Sequence, residues 1–173
     1  MIEVLWVSFW VIWVIAVLMV LFYGWVILFG APYVPTLQKQ RQAAIKLLEL
    51  KPGQVFVDLG SGDGSSLILA AQQGATAIGY ELNPFLVLIS WVRTRPYRQR
   101  VKIVMGNFWR ADLSNVDAIF VFLIGHYMKK LDQLIVGQPH KRLRIVSNTF
   151  AIPGRKALAK KGPLYLYVYP AKR

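Results

Sequence analysis

The stretch Val57-Asp58-Leu59-Gly60-Ser61-Gly62-Asp63-Gly64 places three glycines at alternate positions, directly after the β-branched and aromatic run Val55-Phe56-Val57. Glycines at that spacing remove the Cβ atoms that would hold a ligand away from the main chain. The helix expected to open at Gly64 adds free N–H groups and a positive dipole end, which suit a carboxylate or a phosphate. Glu81 closes the next apolar run, 21 residues after Gly60. In α/β folds an acid at that place hydrogen-bonds the two hydroxyls of a bound ribose. Loop and acid together describe an adenosine-containing ligand lying across the strand ends, with Asp58, Gly60, Ser61, Gly62, Asp63 and Gly64 at its charged end. A dinucleotide site requires Gly-x-Gly-x-x-Gly, and counted from Gly60 its third glycine falls on Ser65.

Other chemistries find little support. The chain has no cysteine, which excludes a disulfide framework, thiolate zinc sites and a cysteine nucleophile. His126 and His140 are its two histidines, too few for a histidine-rich metal site, so no metal is expected. His126 and Tyr127 follow the fourth expected strand and are the candidate catalytic side chains. His126 could serve as a general base or be a surface histidine at a strand end.

Several short elements must position these residues. Thr36 to Leu50 reads as an amphipathic helix with Leu37, Ala44, Ile45, Leu47 and Leu48 inward. Lys51-Pro52-Gly53 is a turn. Val55 to Val57 is a strand running into the loop, and a helix from about Gly64 to Gln73 stops at Gly74. A second strand covers Thr76 to Tyr80. Asn83 caps a helix with Pro84 in its first turn, running to about Arg93. Further strands are expected at Val101–Met105, Ala118–Leu123 and Arg144–Ser147, with a short helix at Tyr127–Leu134. Leu164–Tyr169 alternates as a last, antiparallel strand. Strands alternating with helices predict an α/β domain with a mostly parallel sheet.

Asp58 before the turn, with strict alternation at Gly60, Gly62 and Gly64, resembles the first motif of class I methyltransferases. Glu81-Leu82-Asn83-Pro84 resembles their second motif. Gly106-Asn107-Phe108-Trp109 falls after the third strand, where that family places its adenine-contacting pair. This resemblance implies a Rossmann-like sheet, S-adenosylmethionine as cofactor, Glu81 and Leu82 beside the ribose, and Asn107 with Phe108 at the adenine. The entry Pro32-Tyr33-Val34-Pro35-Thr36 and Ser147-Asn148 after the fifth strand extend the pattern. Together they resemble the membrane-anchored protein-lysine methyltransferases of the ATP synthase c subunit and the adenine nucleotide translocase, with their prokaryotic relatives. From that likeness come a lysine in or near a membrane as acceptor, Tyr33 and Thr36 as a cover over the cofactor, and Asn148 beside the acceptor. Only about ten residues separate Gly154 from the last strand, so the pair of C-terminal strands is expected to be shortened.

The first 31 residues differ from the rest, and the expected domains are an anchor over 1–31 and a methyltransferase domain over 32–173. Val4 to Phe29 carries no charge over 26 residues. As a helix it would reach about 39 Å, more than a hydrocarbon core of about 30 Å. Trp6, Trp10 and Trp13 at one end and Tyr23, Trp25 and Tyr33 at the other suit the interfacial belts. The start Met-Ile-Glu and the length of the run argue against a cleaved signal peptide. Lys39, Arg41 and Lys46 beyond the run, against Glu3 before it, predict a single-pass anchor with the domain in the cytoplasm, or in the matrix of a mitochondrion. The formal net charge is +13 over 173 residues. Its basic clusters predict an anionic neighbour, with phospholipid headgroups favoured and nucleic acid disfavoured because no RNA-binding module is visible. A methyltransferase for a lipid or small amphiphile and a non-catalytic cofactor-binding adapter are the competing functions.

Overall fold

The computed structural model describes residues 2–29 and 36–172, the side chains at 2, 4, 5, 22 and 25–29 excepted. It divides into two compact units, Met1–Tyr33 and Val34–Arg173.

The first unit is one helix, α1 (Ile2–Phe29). Glu3 is the one charge in it, and Trp6, Phe9, Trp10 and Trp13 meet edge-on, with Trp6–Phe9, Phe9–Trp10 and Trp10–Trp13 centroids 6.3, 5.8 and 6.2 Å apart. Among the described residues no helix is long and apolar enough to cross a membrane. Of the residues expected at the interfaces, the Trp25 side chain and Tyr33 lie outside the described residues.

The second unit begins with α2 (Gln38–Leu48). The chain then alternates through β1 (Val55–Leu59), α3 (Ser65–Gln72), β2 (Thr76–Glu81), α4 (Pro84–Thr94), β3 (Val101–Met105) and β4 (Ala118–Val121). It closes with α5 (Met128–Val136), β5 (Leu143–Asn148), β6 (Ala159–Lys161) and β7 (Leu164–Tyr169). Strand order across the sheet is β3-β2-β1-β4-β5-β7-β6. The first five strands are parallel, and β7 runs antiparallel to both β5 and β6.

Both faces of the sheet are covered, which is why its central strands read as continuous apolar runs. Val57, Leu59, Ile119, Val121, Leu143 and Ile145 point to one core, where α5 supplies Met128, Leu131 and Ile135. Phe56, Ala118, Phe120 and Val146 point to the other, closed by Ala44, Ile45 and Leu48 of α2 and Leu67 and Ala70 of α3. Strand order reverses between β1 and β4, and the crevice at their C-terminal ends is where open α/β sheets take ligands.

The expected elements are present with small differences. Leu37, assigned to the inner face of the first helix, is 67% exposed, because it precedes the helix as its N-terminal cap residue. The C-terminal strand pair is complete. Its shortening is confined to β6, three residues long, and the connection 149–158 carries no helix. A strand of three residues ending at the Gly162 turn, with two of its residues exposed, leaves too little apolar alternation to read in advance.

Candidate active site

The loop between β1 and α3 is built by backbone geometry. Gly60, Gly62 and Gly64 have φ of +104°, +54° and +78°, a region that L side chains rarely enter. The N–H groups of Gly60 and Ser61 both donate to the Tyr80 carbonyl, at 3.0 and 2.9 Å, so the loop is pinned to the end of β2. A Cβ on Gly60 would meet nothing within 4 Å, which leaves its backbone facing open space. Gly64 differs: a Cβ there would lie 2.3 Å from Ser90 Oγ and 3.0 Å from Thr94 Cγ2. Its function is to let α3 start against α4.

Three acids gather around this loop. Asp58 is buried at 4% exposure and accepts from the Ser66 hydroxyl. Burial pushes its carboxyl up to about 7, against the lowering effect of Ser66, with Glu81 raising it further and Arg41 opposing. The Glu81 carboxylate accepts three main-chain bonds, from Gly62 N at 2.9 Å and from Leu82 N and Asn83 N at 2.8 Å each. It therefore ties the glycine loop to the start of the next segment while facing the same crevice. Asp63 is placed otherwise than a ligand-binding acid: its carboxylate accepts from Ser65 N and Oγ at 3.1 and 2.9 Å and pairs with Arg93 and, at 3.7 Å, with Arg41. Burial raises its pKa, but the Ser65 and Arg93 contacts outweigh this and hold it below the usual carboxylate range. Asp63 shapes the loop.

After β3, Asn107 Oδ1 accepts from Trp109 N at 3.0 Å and caps the 3-10 turn Phe108–Arg110. Gly106 N donates to the Glu81 carbonyl at 3.0 Å, which brings Asn107 and Phe108 beside the acid that ends β2. After β4, the 3-10 turn Gly125–Tyr127 carries His126 and Tyr127. Ring contacts join the two segments: Phe108–Trp109 at 4.6 Å, Trp109–Tyr127 at 5.8 Å and Tyr127–His126 at 3.9 Å between centroids. Lys130 Nζ sits 4.4 Å from the Trp109 ring centre, a cation–π distance. Trp109 is the link in this row, and His126 at its end is exposed.

Asn148 ends β5 at 1% exposure, with its amide donating to Gln40 Oε1 of α2 at 3.3 Å. Thr149, next in the chain, has φ +70°, an outlier for a β-branched residue. Phe150 packs on the core and lies 3.1 Å from the position of a Cβ on Gly125, so the β4 and β5 loops meet there. Thr36 is half-buried just before α2. Tyr33 lies outside the described residues. Among the described residues no group of three or more His, Cys, Asp or Glu could hold a metal.

Sequence reasoning missed Arg41, Gln40 and Gly79. Arg41 is one helical turn before Ala44 and Ile45 and so shares their inward face; that spacing was legible. Gly79 in β2 gives no such signal. A Cβ there would fall 2.5 Å from Ser61 Oγ and 2.6 Å from Leu67, a clearance that exists only in the folded chain.

A seven-stranded sheet in this order, a glycine loop after β1, an acid ending β2 and a polar-aromatic pair after β3 define a class I, S-adenosylmethionine-dependent methyltransferase domain. More narrowly, residues 58–159 match the family model described as the ANTKMT methyltransferase domain, and the chain belongs to that family. It is 34% identical over 126 residues to the human lysine N-methyltransferase of the ATP synthase c subunit, covering 70% of this chain and 53% of that one. It is 32% identical over 136 residues to the mouse adenine nucleotide translocase lysine N-methyltransferase, covering 76% of this chain and 58% of that one. The chain thus spans little more than half the length of these relatives. Among solved structures it is similar to an RNA methyltransferase from Salinibacter ruber in complex with S-adenosyl-L-homocysteine, with TM-score 0.73, 25% identity and coverage of 81% of this chain and 96% of that one.

Proposed function

We propose that this protein transfers a methyl group from S-adenosylmethionine to a lysine side chain of a membrane or membrane-proximal protein. The observation that carries the reading is the meeting of two half-sites at the C-terminal end of the sheet. The loop 58–64 and Glu81 form one, and the aromatic row from Phe108 to His126 forms the other.

The residues present fit the cofactor. Gly60 leaves open space where a side chain would stand, and the Ser61 hydroxyl is buried without a hydrogen-bond partner in the structure. A buried hydroxyl without a partner is costly, and the amino-acid end of the cofactor would supply one. Asp58 and the loop would hold that end, Glu81 and Leu82 the ribose, and Asn107 with Phe108 the adenine. When bound, the cofactor supplies a methyl group already activated on a sulfonium sulfur. The lysine nitrogen forms its bond to the methyl carbon as the carbon–sulfur bond breaks, with that electron pair staying on sulfur. The chain's own work is positioning, which can be worth several kcal/mol. Trp109 and Tyr127 guide the acceptor, His126 accepts the proton a lysine ammonium must lose, Thr36 covers the cofactor, and Asn148 stands beside the acceptor.

The same reading places α1 in a bilayer as a single-pass anchor with the domain on the cytoplasmic or matrix side and anionic headgroups beside it. Its support is the charge-free sequence from Val4 to Phe29, its helical backbone over Ile2–Phe29 and the basic residues that follow. Resistance of the protein to alkaline extraction from membranes, with residues 36–172 open to protease on one side only, tests the anchor.

The chemistry is tested by incubating the protein and membranes with methyl-tritiated cofactor and separating protein, lipid and RNA. Label recovered as methyl-lysine supports the proposal. Label in lipid assigns an amphiphile as acceptor, and label in RNA would align the chain with the Salinibacter ruber relative. Tight cofactor binding with no label would make the domain an adapter.

A further inference from the structure

Helix α4 is inside out. Its buried residues are Ser90 and Thr94, at 0% and 4% exposure, whereas Leu88, Ile89, Trp91 and Val92 are 59%, 46%, 66% and 58% exposed. The inner face has a local cause: Gly64 brings the start of α3 against Ser90 and Thr94, so only small side chains fit there. Nothing in the domain explains the outer face. Leu88, Ile89 and Val92 recur at helical spacing with Trp91 at their edge, one continuous stripe. Met105, at the end of the neighbouring β3, adds another apolar side chain at 64% exposure. Contiguous exposed apolar surface of this kind marks an interaction site.

The surrounding charge identifies the partner. From Leu82 to Ala111 the chain has Arg93, Arg95, Arg98, Arg100, Lys102 and Arg110 and no acid at all. Arg93 is occupied by Asp63, and Arg100 donates to the Gly74 carbonyl at 2.8 Å. Arg95 and Arg98, which follow α4 directly, are exposed and enter none of the ion pairs among the described residues. An apolar stripe with a cationic rim and an interfacial tryptophan is the composition of a surface that lies in the headgroup layer of an anionic bilayer. A second copy of this chain would bring the same cations against one another. The helix α1 offers only Glu3 to them. Nucleic acid offers phosphate but no apolar layer for Leu88, Ile89 and Val92.

We propose that α4 is an interfacial membrane-binding helix, with Leu88, Ile89, Trp91, Val92 and Met105 below the phosphate level and Arg95 and Arg98 on the phosphates. The proposal does not depend on the methyl-transfer reading, and it adds a lipid contact distinct from α1.

The absence of cysteine allows a clean test with the full chain. Single variants Leu88→Cys, Trp91→Cys, Asn115→Cys and Val14→Cys carry an environment-sensitive fluorophore in vesicles of phosphatidylcholine alone or with a third phosphatidylglycerol. Spin-labelled lipids read lipid contact, and iodide reads exposure to water. In anionic vesicles, quenching by lipid at 88 and 91 is expected to exceed that at the control position 115 several-fold. It should fall toward the control when Arg95 and Arg98 are replaced by glutamate. The probe at 14 reports the anchor separately, so an embedded 14 with 88 and 91 as iodide-accessible as 115 overturns the α4 proposal while leaving the anchor standing. Probes at 88 and 91 shielded from iodide but unquenched by lipid would put protein on the face and overturn it too. Equal lipid contact in neutral and anionic vesicles would remove the assigned role of the cationic rim.

Discussion

Replacing Glu81 with alanine tests the link between the loop and the ligand most directly. Its two carboxylate oxygens hold Gly62, Leu82 and Asn83 by main-chain bonds of 2.8–2.9 Å. Hydrogen bonds to a charged acceptor contribute about 1.5–3 kcal/mol each, but this half-exposed site lets water recover part of that. The expected loss of fold stability is therefore about 2–3 kcal/mol, which leaves the domain folded. On the proposed assignment the same carboxylate would also serve two ribose hydroxyls, and losing both would remove about 3–6 kcal/mol of binding. At about 1.4 kcal/mol per tenfold, the dissociation constant rises about 10²- to 10⁴-fold. Calorimetric titration with S-adenosylmethionine and its homocysteine product measures this, with thermal unfolding on the same sample to show that the variant is native. Glu81→Gln should fall between, because its oxygen still accepts while its amide opposes a main-chain donor. A folded Glu81→Ala variant binding within about threefold of the parent would refute the assignment of Glu81 and, with it, the orientation of the ligand.

Other consequences follow from the same geometry. Because burial raises the Asp58 carboxyl to about 7, the native state keeps a proton that the unfolded chain releases above about pH 4. Stability should therefore fall as pH rises between about 4 and 7, and Asp58→Asn should flatten that slope in urea titrations at pH 5 and 8, gaining no more than about 4 kcal/mol at the higher pH. The cationic end of the cofactor should drive the same proton off near pH 6–7, seen as a buffer-dependent binding enthalpy. Gly64→Ala combines a positive φ with a 2.3 Å approach to Ser90 Oγ and should cost about 2–4 kcal/mol; adding Ser90→Ala should recover part of it in chemical denaturation. Trp109→Ala should lower kcat/KM for the protein acceptor about tenfold or more, equivalent to about 1.4 kcal/mol, with cofactor affinity little changed. Should His126 accept the proton, His126→Ala alters the acidic limb of the pH–rate profile; an unchanged limb would make it a bystander.

The reading from sequence and the folded chain agree where the determining forces are local. Alternation of strand and helix, the cap at Asn83 with Pro84 behind it, the stop at Gly74 and the positive-φ glycines at 60, 62 and 64 all follow from short-range backbone preferences. A reader of one sequence can apply those. The acid at the end of β2 was legible for a related reason, since loop length and strand length alone set its distance from the glycines. The family likeness added the adenine end of the site, which no spacing argument supplied.

Other features were decided only when distant segments met. Asp63 sits in the motif, yet Arg93 and Arg41 reach it from 30 residues after and 22 before and claim its carboxylate for the loop. Trp109 became the bridge to Tyr127 because β3 and β4 run parallel and finish at the same end of the sheet, though β2 and β1 stand between them. Gly79 is a plain strand residue until Ser61 folds over it. The inverted burial of α4 is of the same kind: its apolar periodicity resembles that of an ordinary core-facing helix, and only the close approach at Gly64 turns that face outward. Sequence determines backbone preference and the order of elements because those depend on neighbours along the chain. Which side chain is left facing water, a ligand or a membrane depends on volumes and charges supplied by segments far away, and the tertiary structure alone brings those together.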